Sequence, residues 1–224
     1  MEGTNLFSLE MTKEYTFSFS SETQKYMASS ACSTDYDLTG QILWPAAKLL
    51  SKYIIKNKEM IIGKTFIELG AGVGLCSLVA SKYAAYGIAT DYQPEVLSCI
   101  QNNMKLYGSS NVKCAMLDWN NSKYIELVEY NGKLIGEPLL QIDYVLGADI
   151  VYWEESIEPL IKTMNDIYMA NSNHPVMLLA IKNRVKTVFN MLLSKLKSAN
   201  FKISFENVED LVEESDMYLM KITK

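Results

Sequence analysis

The sequence predicts an α/β fold in which helices cover both faces of a mostly parallel, seven-stranded sheet. Two observations predict it. From about residue 60 onward, short apolar runs alternate with longer amphipathic stretches, and this β-α-β alternation is typical of parallel sheets. The last two strand-like runs, 202–207 and 216–222, are separated by an acidic loop instead of a helix, so we expect them to pair as an antiparallel hairpin at one edge.

Each element of this fold is predicted from a local run of side chains. Apolar runs predict five earlier strands, at 65–69, 87–90, 112–116, 142–146 and 176–181. Amphipathic stretches predict helices at 74–83, 93–107, 156–169 and 185–198. Before them we expect a short exposed strand at 15–19, a mobile loop at 28–37 and a helix at 45–55. The chain is therefore predicted to be one domain, with an N-terminal extension over 1–59 and a core over 60–224.

Composition narrows the class of protein. The chain has 224 residues, of which 49% are hydrophobic and 21% charged, as in ordinary globular domains. Its formal net charge of −5 argues against a nucleic-acid binder. No signal-like start and no apolar stretch of 18 residues is present, so we expect a cytoplasmic protein without membrane contact, and a monomer is favoured. Four dispersed cysteines and one histidine predict reduced thiols and no metal site.

The glycine turn after the first core strand indicates the ligand. Residues 66–75 read Phe-Ile-Glu-Leu-Gly-Ala-Gly-Val-Gly-Leu, which is G-x-G-x-G instead of the dinucleotide fingerprint G-x-G-x-x-G. Glu68 would oppose a pyrophosphate at the helix start but would suit the cationic amino acid end of S-adenosylmethionine. Asp91 ends the next strand, where a carboxylate can accept hydrogen bonds from ribose hydroxyls. The alternative is a plain strand-turn-helix with buried glycines.

Four stretches resemble one family of enzymes. They are Gly-Gln-Ile-Leu-Trp-Pro-Ala-Ala at 40–47, Glu-Leu-Gly-Ala-Gly-Val-Gly at 68–74, Leu-Asp-Trp at 117–119 and Gly-Ala-Asp-Ile-Val-Tyr at 147–152. Together they resemble the seven-strand S-adenosylmethionine-dependent methyltransferases, and more narrowly the small protein-lysine methyltransferases (family 16) of the methyltransferase-like 21 group. The resemblance covers about residues 35–222. It implies a Rossmann-like sheet that binds S-adenosylmethionine and releases S-adenosylhomocysteine.

The resemblance also implies roles for individual residues. The cofactor-binding residues would be Trp44, Glu68, Gly70, Ala71, Gly72, Asp91, Asp118, Trp119 and Ala148. Asp149 and Tyr152 would be the catalytic pair, at the mouth where the acceptor amine arrives. The sequence departs from the family pattern at Asn120, where glycine is common, and residues 120–138 are longer and more polar than a minimal connector.

The chemistry implied is compatible with these residue types. A lysine amine must lose its proton before it attacks a sulfonium methyl group, and its ordinary pKa is about 10.4. An aromatic channel lowers that pKa by desolvation, and a carboxylate such as Asp149 can orient the amine. Tyr152 and Trp153 can hold a cation against their ring faces.

Each of these residues also has a structural interpretation. Trp44 and Trp119 can be core aromatics, Tyr152 and Trp153 can be packing residues, and Asp149 can cap a helix near residue 154. Elsewhere, His174 is assigned no role. Arg184 faces either solvent or the substrate cleft, and the acidic run 209–216 is expected to be a solvated loop.

The sequence therefore predicts a protein-lysine N-methyltransferase acting on a non-histone protein, of the elongation factor or chaperone type that the resemblance suggests. Two alternatives remain. The acceptor can be histidine, arginine or a small molecule, or the chain can be a non-catalytic partner that binds S-adenosylmethionine.

Overall fold

The computed structural model of the chain describes residues 12–30, 36–108, 110–121 and 141–224. The strands are β1 (Thr12–Phe19), β2 (Glu22–Ser29), β3 (Thr65–Leu69), β4 (Tyr86–Asp91), β5 (Val112–Met116), β6 (Tyr144–Ala148), β7 (Val176–Lys182), β8 (Lys202–Phe205) and β9 (Met217–Thr223). The helices are α1 (Pro45–Lys56), α2 (Leu75–Ala80), α3 (Pro94–Tyr107), α4 (Ile157–Ala170) and α5 (Lys186–Ser198). None of the described helices is long and apolar enough to cross a membrane.

The central sheet confirms the predicted fold class. Its strand order is β5-β4-β3-β6-β7-β9-β8. The strands from β3 to β7 pair in parallel, whereas β9 is antiparallel to both β7 and β8. The predicted C-terminal hairpin is thus confirmed, with its second strand inserted next to β7. The predicted strand 142–146 began two residues before β6. Its first two residues, Ile142 and Asp143, belong to the segment that leads into the strand.

Helix α2 is shorter than the predicted span 74–83. Gly74 precedes the helix with a φ of 81°, in the left-handed region, so it lies outside the helical turns. At the other end, the amide of Tyr83 donates to the carbonyl of Ala80 at 3.0 Å, which closes a turn that leads directly into β4. In this turn Ser81 is buried, Lys82 is exposed and Tyr83 is half-buried.

The core has two layers because successive side chains of a strand point to opposite faces of the sheet. Phe66 packs with α1, α2 and α3 on one face, and Ile67 packs with α4 and α5 on the other. Gly87 on the neighbouring strand leaves room for the Phe66 ring, since a Cβ there would lie 2.3 Å from the ring atom Cζ. The sheet is therefore buried on both faces, as parallel sheets usually are.

The N-terminal segment differs from the prediction. The strand expected at 15–19 is longer and pairs with β2 in an antiparallel hairpin, which the sequence analysis missed. Two residues of the loop expected at 28–37 belong to β2, residues 31–35 lie outside the described ranges, and a 3-10 turn spans Tyr36–Gln41. The hairpin packs on α3, where the amide group of Asn103 bonds both the N–H and the carbonyl of Met27, at 2.6 and 2.9 Å. The division of the chain at residue 59 stays a prediction.

The acidic side chains of the run 209–216 are exposed, which agrees with the expected solvated loop, but the run also contacts another element. Lysines spaced four apart on α1 pair with it. Lys52 Nζ lies 2.6 Å from a carboxylate oxygen of Glu213, and Lys56 Nζ lies 2.5 Å from one of Asp210. The side chain of Lys52 is only 11% exposed, so this contact is partly shielded from solvent. The run therefore attaches the segment before β9 to the first helix.

Candidate active site

A cavity of about 270 Å³ lies at the carboxyl ends of the central strands. Residues that directly follow β3, end β4, follow β5 and end β6 line it, among them Gly70, Asp91, Asp118 and Ala148. Strand β3 has β4 on one side and β6 on the other, so the connections leave it in opposite directions. Open α/β sheets bind their ligands at such a crevice.

The glycine turn needs glycine at the positions that line the cavity. Gly70 and Gly72 have φ values of 59° and 57°, which residues with a side chain rarely adopt. A Cβ on Gly70 would lie 2.8 Å from Ile150, and one on Gly72 would lie 3.1 Å from the carbonyl oxygen of Gly40. The turn thus presents bare backbone to the cavity.

Asp91 is held in place at the end of β4. Its carboxylate accepts hydrogen bonds from the backbone amides of Gly72 at 3.1 Å, Tyr92 at 2.8 Å and Gln93 at 3.3 Å. Burial raises the pKa of the Asp91 carboxyl, and these three amide donors oppose the increase in part. A buried carboxylate in this position is suited to accept hydrogen bonds from ligand hydroxyl groups.

The Leu-Asp-Trp stretch forms the next wall. The carboxylate of Asp118 accepts from the amide of Asn120 and the side chain of Asn121, both at 2.9 Å, and closes a short 3-10 turn. Asn120, the departure from the family pattern, is thus accommodated by a bond to Asp118. Trp119 lines the cavity close to Gly70, since a Cβ added to Gly70 would lie 3.6 Å from the Trp119 ring. Residues 122–140 lie outside the described ranges, so the structure shows only the start of the long connector expected at 120–138.

Asp149 lies on the cavity wall as expected, but its carboxylate is already engaged. Oδ1 accepts from the amide of Lys182 at 2.8 Å and Oδ2 from the amide of Ala46 at 3.3 Å. Both oxygens also face the guanidinium of Arg184, each at 3.1 Å. The structure therefore corrects one interpretation, because the carboxylate does not cap the helix near residue 154, and the catalytic role of Asp149 stays a prediction.

Trp44 and Arg184 are in contact beside this carboxylate. The indole nitrogen of Trp44 donates to the carbonyl of Thr39 at 3.0 Å, and the ring lines the cavity. The guanidinium carbon of Arg184 lies 4.9 Å from the ring centre. Arg184 packs against the ring, its side chain is 37% exposed, and it is not among the described residues that line the cavity, so of the two positions that the sequence left open it takes the one on the solvent side.

Tyr152 and Trp153 form the exposed aromatic rim of the cavity. They are 41% and 47% exposed, which does not fit the interpretation as packing residues. Their ring centres lie 5.7 Å apart with an edge-to-face angle of 63°. Exposed aromatic rings of this kind can hold a cation that arrives from solvent.

A profile of the lysine methyltransferase family matches residues 32–199. The chain belongs to the lysine methyltransferase family. The match spans all four stretches of the resemblance and every residue assigned to the site.

Individual relatives agree with this membership. The chain is 30% identical over 188 residues to the protein-lysine methyltransferase METTL21E of Bos taurus, covering 83% of this chain and 59% of the relative. It is 32% identical over 146 residues to the protein N-lysine methyltransferase METTL21A of Danio rerio, covering 64% of this chain and 61% of the relative. The chain thus spans about three fifths of the length of these relatives.

Solved structures resemble the fold. A methyltransferase from Aquifex aeolicus, described as SAM dependent, superposes with a TM-score of 0.55 at 16% identity, over 80% of this chain and 93% of the other. A precorrin-6y C5,15-methyltransferase from Geobacter metallireducens gives 0.55 at 13% identity, over 78% and 87%. These likenesses show the Rossmann-like methyltransferase fold.

Two residues that the resemblance assigned to the cofactor do not line the cavity of this lysine methyltransferase family member. Glu68 points to the α2 face of the sheet, because the next residue, Leu69, takes the opposite face. Its buried carboxylate accepts a short hydrogen bond from Ser77, and burial raises the pKa of Glu68 to about 7. Ala71 is buried, and its amide donates to the carbonyl of Thr90 at 2.8 Å.

Sequence reasoning missed several described residues of the cavity wall. They are Thr39, Gly40, Tyr92, Gln93, Val96, Leu117, Asn120, Ile150, Ser156 and Pro159. Most of them are chain neighbours of a predicted residue, so adjacency was the available signal. Among the described residues, no group of three or more histidine, cysteine, aspartate or glutamate side chains is arranged to hold a metal ion.

Proposed function

We propose that this chain is an S-adenosylmethionine-dependent protein methyltransferase that N-methylates a lysine side chain. One observation carries the proposal: a single cavity has the glycine turn and the buried Asp91 carboxylate in its wall, and the exposed rings of Tyr152 and Trp153 at its rim. The same cavity therefore combines features that suit a nucleoside with features that suit a cation. Membership of the lysine methyltransferase family supports the same activity.

The cofactor half of the cavity fits S-adenosylmethionine. The bare backbone at Gly70 and Gly72 leaves room for a ligand, and the fixed carboxylate of Asp91 can accept from both hydroxyls of a ribose. Asp118 and Trp119 would border the adenine, and Trp44 and Ala148 would lie near the methionine end. S-adenosylmethionine supplies an electrophilic methyl group and leaves as S-adenosylhomocysteine.

The acceptor half would bind and align the amine. Tyr152 and Trp153 can hold the lysine ammonium against their ring faces. Removal of water beside these rings would lower the pKa of the lysine amine towards neutral pH. Methyl transfer from a sulfonium is a direct displacement, in which the amine nitrogen attacks the methyl carbon and the sulfur leaves with the bonding pair, so alignment of the nucleophile is the main requirement. Tyr152 is the proposed catalytic residue that contacts the acceptor. Asp149 would contribute to methyl transfer indirectly, by holding together the cavity wall against which the reactants are aligned.

The substrate would be a non-histone protein of the elongation factor or chaperone type, methylated in the cytoplasm by a monomeric enzyme. The net charge of −5 supports a protein acceptor over a nucleic acid. The alternative acceptors, histidine, arginine or a small molecule, keep the same cofactor site. A non-catalytic cofactor-binding partner is the remaining alternative, and the exposed aromatic rim favours an acceptor site over it.

Incubation of the protein with tritiated S-adenosylmethionine and a cell extract tests the proposal. We expect one labelled protein band, which disappears with Asp91→Ala and with Tyr152→Ala, and mass spectrometry should place the methyl group on a lysine. Lys195→Gln, which breaks a surface ion pair with Glu158, is the matched control and should label normally. Absence of label despite binding of S-adenosylhomocysteine would rule out the enzyme, and a methylated histidine or arginine would rule out the lysine assignment.

A further inference from the structure

Arg184 contacts two residues of the cavity wall at once. Its Nη1 and Nη2 atoms pair with Oδ1 and Oδ2 of Asp149, both at 3.1 Å, and its guanidinium carbon lies 4.9 Å from the ring centre of Trp44. Asp149 and Trp44 line the cavity, whereas Arg184 is not among the described residues that do. The arginine therefore supports the wall without forming part of its surface.

The contacts of Arg184 use up the hydrogen-bonding capacity of Asp149. A carboxylate offers about four lone-pair sites. Here the two Nη atoms take two of them, and the backbone amides of Lys182 and Ala46 take the others. The side chain of Asp149 is only 2% exposed, so no solvent-facing edge remains. An arriving ammonium finds no free acceptor on this carboxylate.

The same contacts join separate parts of the chain. Trp44 precedes α1, Asp149 follows β6 and Arg184 follows β7. Asp149 has a φ of 55°, which a non-glycine residue keeps only when its surroundings hold it there. An arginine provides a planar fork for the carboxylate and a flat face for the indole, and lysine provides neither.

We infer that Arg184 is a positioning residue that holds Trp44 and Asp149 together as one fixed wall of the cavity, so that Asp149 is not the ionic partner of the acceptor amine. The inference rests on the proposed function only for the identity of the ligand that meets this wall. The ion pair also makes the wall neutral overall, so it neither attracts nor repels a cationic ligand through net charge.

The first test needs no ligand. Arg184 is the only arginine in the sequence, so protein labelled with ¹⁵N,¹³C-arginine gives one guanidinium group to observe by NMR. We expect slow rotation about its Cζ–Nε bond, lost in Asp149→Asn, and a displaced or broadened indole N–H signal of Trp44 in Arg184→Gln. Lys195→Gln should change neither signal. A freely rotating guanidinium in the unchanged protein, or an unchanged Trp44 signal in Arg184→Gln, would overturn the inference.

The second test measures binding of S-adenosylhomocysteine by calorimetry, well below the unfolding temperature of each variant. Loss of the contact with the indole should weaken binding by roughly 3- to 10-fold in Arg184→Gln. Arg184→Lys should resemble Arg184→Gln more than the unchanged protein. Arg184→Gln combined with Trp44→Leu should bind no more weakly than Trp44→Leu alone, because the arginine acts through that ring. Unchanged affinity in Arg184→Gln, or two effects that multiply, would contradict it.

The two proposals fail in different ways. If the unchanged protein does not bind S-adenosylhomocysteine, the proposed function fails, and the guanidinium and indole signals then decide the inference by themselves. If Arg184→Gln does not fold, the pair Asp149→Asn with Arg184→Gln replaces it, because that variant leaves no unpaired charge in the wall. Its Trp44 signal should be displaced in the same way, and an unchanged signal would overturn the inference.

Discussion

The carboxylate of Asp149 and the guanidinium of Arg184 form a two-point ion pair, with 3.1 Å at both contacts. The two residues are 35 positions apart in the sequence and follow neighbouring parallel strands. The carboxylate that the stretch 147–152 offers as a catalytic group is therefore part of the support of the cavity wall.

This relationship predicts that Asp149→Asn and Arg184→Gln change methyl transfer in the same direction. Both should lower kcat/KM for the labelled acceptor protein by roughly 10- to 100-fold, because each displaces the wall against which the reactants are aligned. If Asp149 were the partner of the amine, loss of Arg184 would free its carboxylate and raise the affinity for the acceptor. Initial rates at varied acceptor concentration distinguish the two outcomes.

Asp91→Asn should weaken binding of S-adenosylhomocysteine by roughly 10- to 100-fold, since hydrogen bonds from a ligand to a charged carboxylate contribute about 1.5–3 kcal/mol. Because burial raises the pKa of Asp91, binding by the unchanged protein should also weaken as the pH falls through that raised pKa. Calorimetry over a pH series measures both effects. Asp166→Asn on α4 removes a carboxylate outside the cavity and should bind normally. Equal pH dependence in Asp91→Asn would contradict the assignment.

Glu68→Gln should make the protein relatively more stable at neutral and higher pH. Burial raises the pKa of Glu68 from 4.5 to about 7, so the folded state holds its proton longer than the unfolded state does. The stability from this group is complete below pH 4.5 and is lost as the pH rises through about 7. The free energy of unfolding of the unchanged protein should therefore fall, relative to Glu68→Gln, by up to about 3 kcal/mol.

Denaturant unfolding from pH 4.5 to 8 measures this difference. The exposed Glu158→Gln is the matched loss of a carboxylate. A constant gap in stability between Glu68→Gln and the unchanged protein over this range would show that Glu68 is already ionised in the folded state.

Asn103→Ala should detach the N-terminal hairpin from the core. The buried amide of Asn103 bonds both backbone groups of Met27 and donates to the carbonyl of Val73 in the glycine turn at 2.8 Å. Its loss leaves buried polar groups without partners, at about 1–3 kcal/mol. We expect a lower free energy of unfolding and faster amide hydrogen exchange in β1 and β2. The adjacent exposed Asn102→Ala should leave both unchanged, and slow exchange in Asn103→Ala would refute the assigned role.

Trp153→Ala should affect the acceptor and spare the cofactor. The loss of one aromatic face at the rim should raise KM for the acceptor protein by roughly 3- to 30-fold, as expected for a cation–π contact. The affinity for S-adenosylhomocysteine should stay within about threefold of the unchanged value, since the proposed cofactor contacts are made by other residues of the wall, Gly70, Gly72 and Asp91. Phe205→Ala removes an equally exposed ring from β8 and is the control. A larger effect on S-adenosylhomocysteine than on the acceptor would place Trp153 in the cofactor site.

The sheet and the strand-end residues were predictable from sequence because their signals are local. Apolar runs mark β3, β4 and β7, and the position of Asp91 at the end of its run is enough to bring it to the carboxyl edge of the sheet. Strand β2 was missed because its alternation is weak: the inward-facing side chains are Gln24, Tyr26 and Ala28, of which one is polar and one small.

What the sequence could not predict depends on contacts between distant residues. The pairing of Arg184 with Asp149 needs the order of the strands as well as the side-chain types. The acidic run meets α1 across more than 150 positions, as with Lys52 and Glu213, and no local pattern reveals it. The position of Glu68 outside the described cavity wall has a simpler reason, since one step along a strand changes the face that a side chain occupies.

The insertion of β9 between β7 and β8 has a consequence for how the chain acquires its structure. On one side β7 pairs with β6, and its other edge stays open until β9, which begins about 35 residues later, is available. An open, apolar strand edge can pair with another molecule. During synthesis, nascent chains that have completed α5 but not β9 expose this edge. Binding by chaperones at that stage, and slow closure by a long-range strand pairing, are to be expected of the folding pathway.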